Sequence, residues 1–207
     1  CNSLNISAVK TLSYMKFDDV FKFADKLNID LNEQDKNLSL ALGSISEGVK
    51  PVQLLGAYSA LFNGGNYIDL SFIKEIHDQH GNVVYRHNKN ETRVFSEDTA
   101  YLMTDMLKTC ALKGTSKRLS DLPYEVASKT GTASNNGKKT DVWNVAYTTE
   151  HCVLSWLGSS NAPLLDNITS GGTATSLTKT MLNHLYKNKK PSAFVRPETI
   201  RTVSFDR

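Results

Sequence analysis

The stretch KTGTASNNGKKT, residues 129–140, admits two readings that lead to different folds. From its right end, Gly137-Lys138-Lys139-Thr140 is a near-match to a phosphate-binding loop. That motif requires Gly, four residues, then Gly-Lys-Ser/Thr, and it must open a helix whose N-terminal amides hold the phosphates. Here five residues separate Gly131 from Gly137, and Lys139 stands where the magnesium-binding hydroxyl belongs. The next residues, DVWNVAYTT (141–149), have the composition of a strand rather than a helix. The nucleotide reading fails on spacing, chemistry and context. From its left end, Lys129-Thr130-Gly131 closes the β-rich run YEVASKTGT (124–132), a strand that ends in a polar turn.

Working outward, the 207 residues suffice for one good core or two small ones. The 40% apolar and 22% charged content is that of an ordinary globular protein. A net charge of +3, from 24 Lys and Arg against 21 Asp and Glu, argues for no nucleic-acid partner, and no basic block or aromatic-interleaved Arg patch is present. No apolar run reaches the roughly 18 residues of a membrane span. The chain opens with Cys1 rather than Met and reads as an excised piece, so a targeting segment or membrane anchor is expected only upstream. Cys1, Cys110 and Cys152 have no metal-ligand spacing, and an odd number cannot all pair within one chain.

Residues 17–29 read as a helix opened by acidic residues, with Val20, Phe21, Ala24 and Leu27 at helical spacing. Pro51 suits the first position of a second helix, whose apolar face is Leu54, Leu55, Tyr58, Leu61 and Phe62 and which Gly64-Gly65 ends. A hairpin is predicted within 66–87, its arms around Ile73 and Ile76 and around Val83 to Tyr85. Ser96 caps a third helix with Leu102, Met103, Met106, Leu107 and Cys110 on its buried side, and Gly114 stops it. Three strands come next; Trp143, Val145 and Tyr147 alternate with Asn144 and Ala146 as in a half-buried antiparallel strand. Residues 174–187 return to a helix. Helices first, then an antiparallel sheet, then a helix to pack on it make the class α+β.

Lys-Thr-Gly on a strand makes chemical sense where a peptide docks against that strand's edge: glycine leaves the approach open, and an ammonium and a hydroxyl can receive a carboxylate. Four residues alone carry little weight. Near the start, however, Ser3-Leu4-Asn5 supplies Ser-x-Asn, 126 positions before Lys129. Together the two resemble the second and third motifs of the penicillin-binding proteins, in the serine β-lactamase and DD-peptidase superfamily. The resemblance extends through SLALGSISEGVKPVQLLGAYSALFNGGNYI, the hairpin IKEIHDQHGNVVY, the strands DVWNVAYTTEHCVLSWLG, and the closing SGGTATSLTKTML and FVRPETI, and so covers nearly the whole chain. It implies a partial transpeptidase-like fold: 1–187 as the C-terminal portion of the domain (helical to about 115, sheet and final helix from about 116), and 188–207 as an extended basic tail.

By that resemblance Ser3 would relay a proton between leaving group and base, Asn5 would hold the substrate amide, and Lys129 would join them in catalysis. Lys129 and Thr130 would receive the carboxylate of a stem peptide or β-lactam, Gly131 would admit it, and the Thr132 backbone N–H would form half of an oxyanion hole. On residues alone, Ser3 reads as the N-cap of a helix through Ile6 and Val9, and Asn5 as a polar turn residue. The family's acylated serine lies in Ser-x-x-Lys several tens of residues before Ser-x-Asn, so it is expected outside this chain, and the chain alone is expected to be inert. Four matches to that loose pattern occur, at Ser7, Ser13, Ser71 and Ser176, none in the right order.

The implied activity of the parent is DD-transpeptidation of D-Ala-D-Ala stem peptides through a serine acyl-enzyme at the outer face of the bacterial cytoplasmic membrane, blocked by β-lactams and needing no cofactor. The hairpin and tail look most like the bifunctional class, in which a glycosyltransferase precedes the transpeptidase. A class A β-lactamase fits poorly, because the spacing between motifs is too long and no deacylating Glu can be placed. A penicillin-binding sensor, a non-catalytic interaction module of the same fold and an unrelated α+β domain stand as alternatives. His77, His80 and His87 gather at the hairpin, where no carboxylate or cysteine completes a metal site at usable spacing. If the family's preceding strands and helix are absent, an apolar face is left uncovered.

Overall fold

The computed structural model describes residues 2–159, 163–164 and 166–204; Cys1 lies outside them. Among the described residues, five α-helices precede, flank and follow a three-stranded sheet. Helices α1 (Asn5–Ser13) and α2 (Phe17–Lys26) open the chain. Next come the 3-10 turns Glu33–Asp35 and Leu38–Leu42, with Asn32 and Asn37 accepting the amides of Gln34 and Ser39 at 2.9 Å. Helix α3 (Pro51–Phe62) starts with proline, whose missing N–H has no role in a first turn. It ends at Gly64-Gly65, where Gly65 is left-handed and a Cβ would run into the Phe95 carbonyl.

Strand β1 (Asn66–Ile68) pairs antiparallel with β4 (Glu91–Arg93), while β2 (Glu75–His77) and β3 (Val83–Arg86) form the expected hairpin between them. Helix α4 (Glu97–Lys113) has Ser96 as its cap, the Ser96 hydroxyl accepting from the Thr99 amide at 3.1 Å, and it stops at Gly114. The main sheet has the order β5–β6–β7, from β5 (Ala127–Asn135), β6 (Lys138–Tyr147) and β7 (Cys152–Gly158), all antiparallel. The turn from β6 to β7 is tightened by Thr148 Oγ1, which accepts from the amides of Glu150 and His151 at 3.2 Å. A π-helical turn, Ser170–Ala174, leads into α5 (Thr175–Leu185). This is the α+β class with an antiparallel sheet between helices. No helix among the described residues is long and apolar enough to cross a membrane.

Each face of the sheet has its own core. Val126, Ala146 and Val153 pack with Ala111, Leu182 and Tyr186 on one side; Ala127 and Tyr147 pack with Leu61, Leu107 and Cys110 on the other. Covered on both faces, β6 buries Val142 and the unbroken run Asn144, Val145, Ala146 and Tyr147, so the half-buried expectation fails for this strand. Buried Asn144 has its Nδ2 satisfied by Ser128 Oγ at 3.0 Å and Ser116 Oγ at 3.2 Å, while its Oδ1 has no partner among the described residues.

The helices also bury narrower faces than apolarity alone predicts. Helix α4 buries Ala100, Thr104, Leu107, Cys110 and Ala111, leaving Leu102, Met103 and Met106 exposed; α5 buries Thr175, Thr178 and Leu182, leaving Leu177, Met181 and Leu185 exposed. Small and hydroxyl side chains let the helices sit close to the sheet. Thr104 and Tyr147 hydroxyls bond at 2.9 Å, and Thr178 donates to Ser155 at 2.8 Å. The tail crosses the body as an extended segment: the Phe194 amide donates to Glu125 Oε2 at 2.9 Å, and its ring meets Tyr147 edge-on.

Candidate active site

Successive residues of a strand point to opposite faces, so Lys129 and Gly131 look one way and Ser128 and Thr130 the other. The pairing Lys129–Val145 and Gly131–Trp143 puts the first face beside α3 and the turn around Leu42. Beyond Thr130 no strand lies on the outer side of β5 among the described residues, since β6 is its sole partner.

Ser3 and Lys129 meet across this edge: Lys129 Nζ donates to Ser3 Oγ at 3.1 Å and to the Thr130 carbonyl at 2.7 Å. Ser3 is left-handed, with φ of +53°, and α1 begins only at Asn5. Leu4 occupies the N-cap position without a side-chain bond, so Ser3 is not the helix cap that its residue type suggests. Its hydroxyl turns to the lysine instead. Asn5, the first residue of α1, lines the same cleft of about 690 Å3 together with Ser3, Tyr58, Lys129, Thr130 and Thr132. A mostly apolar cavity of about 450 Å3 adjoins it, walled by Ile29, Leu42, Ile45, Leu54 and Trp143.

Burial holds the Lys129 ammonium below the ordinary lysine range. Its two bonds go to neutral oxygens, and among the described residues it forms no ion pair, which leaves a poorly solvated cation facing the cleft. Gly131 has a packing reason beside the open approach: a Cβ there would stand 3.3 Å from the Trp143 Cβ. Thr130 is nearly buried, and its hydroxyl donates to Thr115 Oγ1 at 2.6 Å. Thr132 Oγ1 donates to Ser170 Oγ at 3.0 Å, tying β5 to the turn before α5.

All the motif residues thus gather at one edge. Thr115, Ser116 and Ser170 escaped sequence reasoning; the sole signal was that Gly114-Thr115-Ser116 and Ser170-Gly171-Gly172 are small, polar and sited at helix ends. Of the four Ser-x-x-Lys matches, Ser7 alone lines the cleft. Ser13 donates to the Lys10 carbonyl, Ser71 to the Ile73 carbonyl, and Ser176 lies in α5. Among the described residues no group of three His, Cys, Asp or Glu could hold a metal ion, and Cys110 and Cys152 are free thiols.

The sequence pattern of the family described as penicillin binding protein transpeptidase domain matches residues 5–161, which takes in Asn5 and residues 129–132 and starts two positions after Ser3. The chain is 33% identical over 159 residues to penicillin-binding protein 2a of Streptococcus pneumoniae, covering 75% of this chain and 22% of that protein. It is 30% identical over 205 residues to penicillin-binding protein 1F of Bacillus subtilis, covering 97% of this chain and 28% of the relative. The chain therefore spans about a quarter of the length of these relatives.

Among solved structures, penicillin-binding protein 1A of Haemophilus influenzae superposes with a TM-score of 0.76 at 20% identity, over 95% of this chain and 35% of that one. PonA1 of Mycobacterium tuberculosis in complex with penicillin V gives 0.70 at 21% identity, over 82% and 47%. These two establish the likeness of fold. The matched pattern, the identity to the relatives and the meeting of the two motifs at one strand edge agree: the chain belongs to the penicillin-binding protein transpeptidase domain family.

Proposed function

We propose that this chain is the C-terminal part of the transpeptidase domain of a peptidoglycan DD-transpeptidase, a serine-type acyltransferase working at the extracytoplasmic face of the bacterial membrane. The observation that carries the reading is the bond from Lys129 Nζ to Ser3 Oγ beside an open strand edge. A stem peptide ending in D-Ala-D-Ala lies along β5 past Gly131, with its carboxylate near Lys129 and Thr130 and its amide at Asn5. The Thr132 N–H polarises the scissile carbonyl, and the nucleophile's own N–H supplies the second donor.

The serine of a Ser-x-x-Lys segment outside this chain attacks that carbonyl, and the D-Ala amine leaves with a proton relayed through Ser3. An amine of a neighbouring stem then resolves the ester and restores the serine. A β-lactam enters the same first step and stalls. Relatives about four times longer support a longer parent; in the bifunctional class that the hairpin and tail resemble, a glycosyltransferase precedes the transpeptidase. Alone, this chain lacks nucleophile and one oxyanion donor and turns nothing over.

Labelling of the full-length protein with a fluorescent penicillin tests the reading. The unchanged protein labels covalently, while Lys129→Met and Ser3→Ala slow labelling by at least about 10²-fold, the scale of losing one transition-state donor. Unchanged labelling in both variants would remove the cleft from the reaction.

A further inference from the structure

We propose that Thr115 is a positioning residue for carboxylate binding: it forms with Thr130 a pair of hydroxyls that reverses its polarity when the ligand arrives. The proposal rests on the reading of the cleft as a carboxylate site and names a residue behind the strand through which that site works.

The residues around Thr115 leave it little freedom except rotation of its hydroxyl. It follows Gly114, whose amide closes α4 on the Cys110 carbonyl at 3.1 Å. Its neighbour Ser116 is fully buried and accepts from Ser128 Oγ at 3.0 Å and Asn144 Nδ2 at 3.2 Å. The Thr115 carbonyl passes so close to Gly171 that a Cβ there would lie 2.7 Å away. Consecutive residues 115 and 116 therefore grip neighbouring residues of one strand face, Thr130 and Ser128.

A hydroxyl has one proton and two lone pairs. The Thr130 hydroxyl donates its proton to Thr115 Oγ1 at 2.6 Å, so in this arrangement Thr130 offers the cleft only lone pairs, which repel a carboxylate. For Thr130 to donate to the ligand, its O–H must swing outward, and its oxygen then needs a new donor. Thr115 Oγ1 is the group at that distance, and its own O–H turns to fill the role. No proton changes owner; one hydrogen bond reverses, and one charge-assisted bond forms to the ligand. A donor on the Thr130 oxygen also polarises its O–H and strengthens that bond.

The experiment is acylation kinetics of the full-length protein with a penicillin and with its methyl ester, resolving initial binding from the chemical step. Thr115→Val keeps the shape and removes the hydroxyl; it is expected to weaken initial binding of the free acid about fivefold, the size of one hydrogen bond. The chemical step and the binding of the ester stay as in the unchanged protein. Thr115→Ser restores binding of the acid, and serves as the test with Thr115→Cys, a weak donor of intermediate affinity, should the valine variant not fold. Equal affinity of Thr115→Val and the unchanged protein for the acid overturns the proposal. So does an equal loss for acid and ester, which marks a merely structural residue. An unchanged protein that no penicillin acylates overturns the underlying reading of the cleft, and this proposal with it.

Discussion

The two faces of β5 differ in how their polar groups are satisfied. On the cleft face, Lys129 is half-buried, bonded only to neutral oxygens and held below its ordinary pKa. On the opposite face, Ser128 and Thr130 have partners within 3.0 Å supplied by residues 115, 116 and 145. One face keeps an electrostatic deficit that a carboxylate can relieve; on the other, hydrogen bonds among residues 115, 116, 128, 130 and 144 fix where the first face points, with Asn144 Oδ1 the one buried side-chain polar atom among them left without a partner. A Lys-Thr-Gly motif reads as one triplet in sequence, yet its lysine and threonine belong to different environments.

The strongest way to break this contrast is to empty the cleft face. Lys129→Met should abolish penicillin acylation of the full-length protein while leaving the melting temperature unchanged or higher, because it removes a cation that burial disfavours. A large fall in melting temperature would mean that Lys129 holds the fold rather than the ligand. On the other face the effects reverse. Asn144→Leu strands Ser116 and Ser128 without their amide donor, and should cost about 1–3 kcal/mol of stability, measured by denaturant unfolding. Loss of acylation without loss of stability would contradict the division.

Gly171→Ala sharpens the comparison by coupling the faces. Its methyl would push on the Thr115 carbonyl, so both stability and affinity for a carboxylate ligand should fall, stability by about 1–3 kcal/mol. A smaller effect lies in pH dependence. Below its folded pKa, Lys129 is charged in both states and its burial opposes folding. Between that pKa and the ordinary 10.5, the unfolded chain retains a proton that the folded chain has released, so stability rises with pH in this window. Lys129→Met should flatten that rise, as read from unfolding at a series of alkaline pH values. Lys179→Ala, which removes a surface pair with Asp121, should leave melting and acylation nearly unchanged.

Much of this architecture was legible in the residues. Caps and stops at Pro51, Gly65, Ser96 and Gly114 act locally, so they are read without knowing the fold. The motif pair was legible because Ser-x-Asn and Lys-Thr-Gly supply complementary groups at a set separation. The features that escaped depend on neighbours far along the chain. Apolarity placed Leu102, Met103 and Met106 inside, whereas the closeness of α4 to the sheet selects Ala100, Thr104 and Ala111. Alternation made β6 half-exposed, whereas helices cover both its faces. Ser3 looked like a cap, and its partner is 126 residues away.

The central claim is that these residues build the binding half of a serine acyl-transfer site whose nucleophile comes from another segment. Peptide mapping of the full-length protein after incubation with excess penicillin addresses it most directly. The account predicts a single adduct, on a serine of a Ser-x-x-Lys segment preceding these residues, and no added mass when the 207-residue chain is treated alone. An adduct on Ser7, which also lines the cleft, or on any other serine of this chain would contradict it.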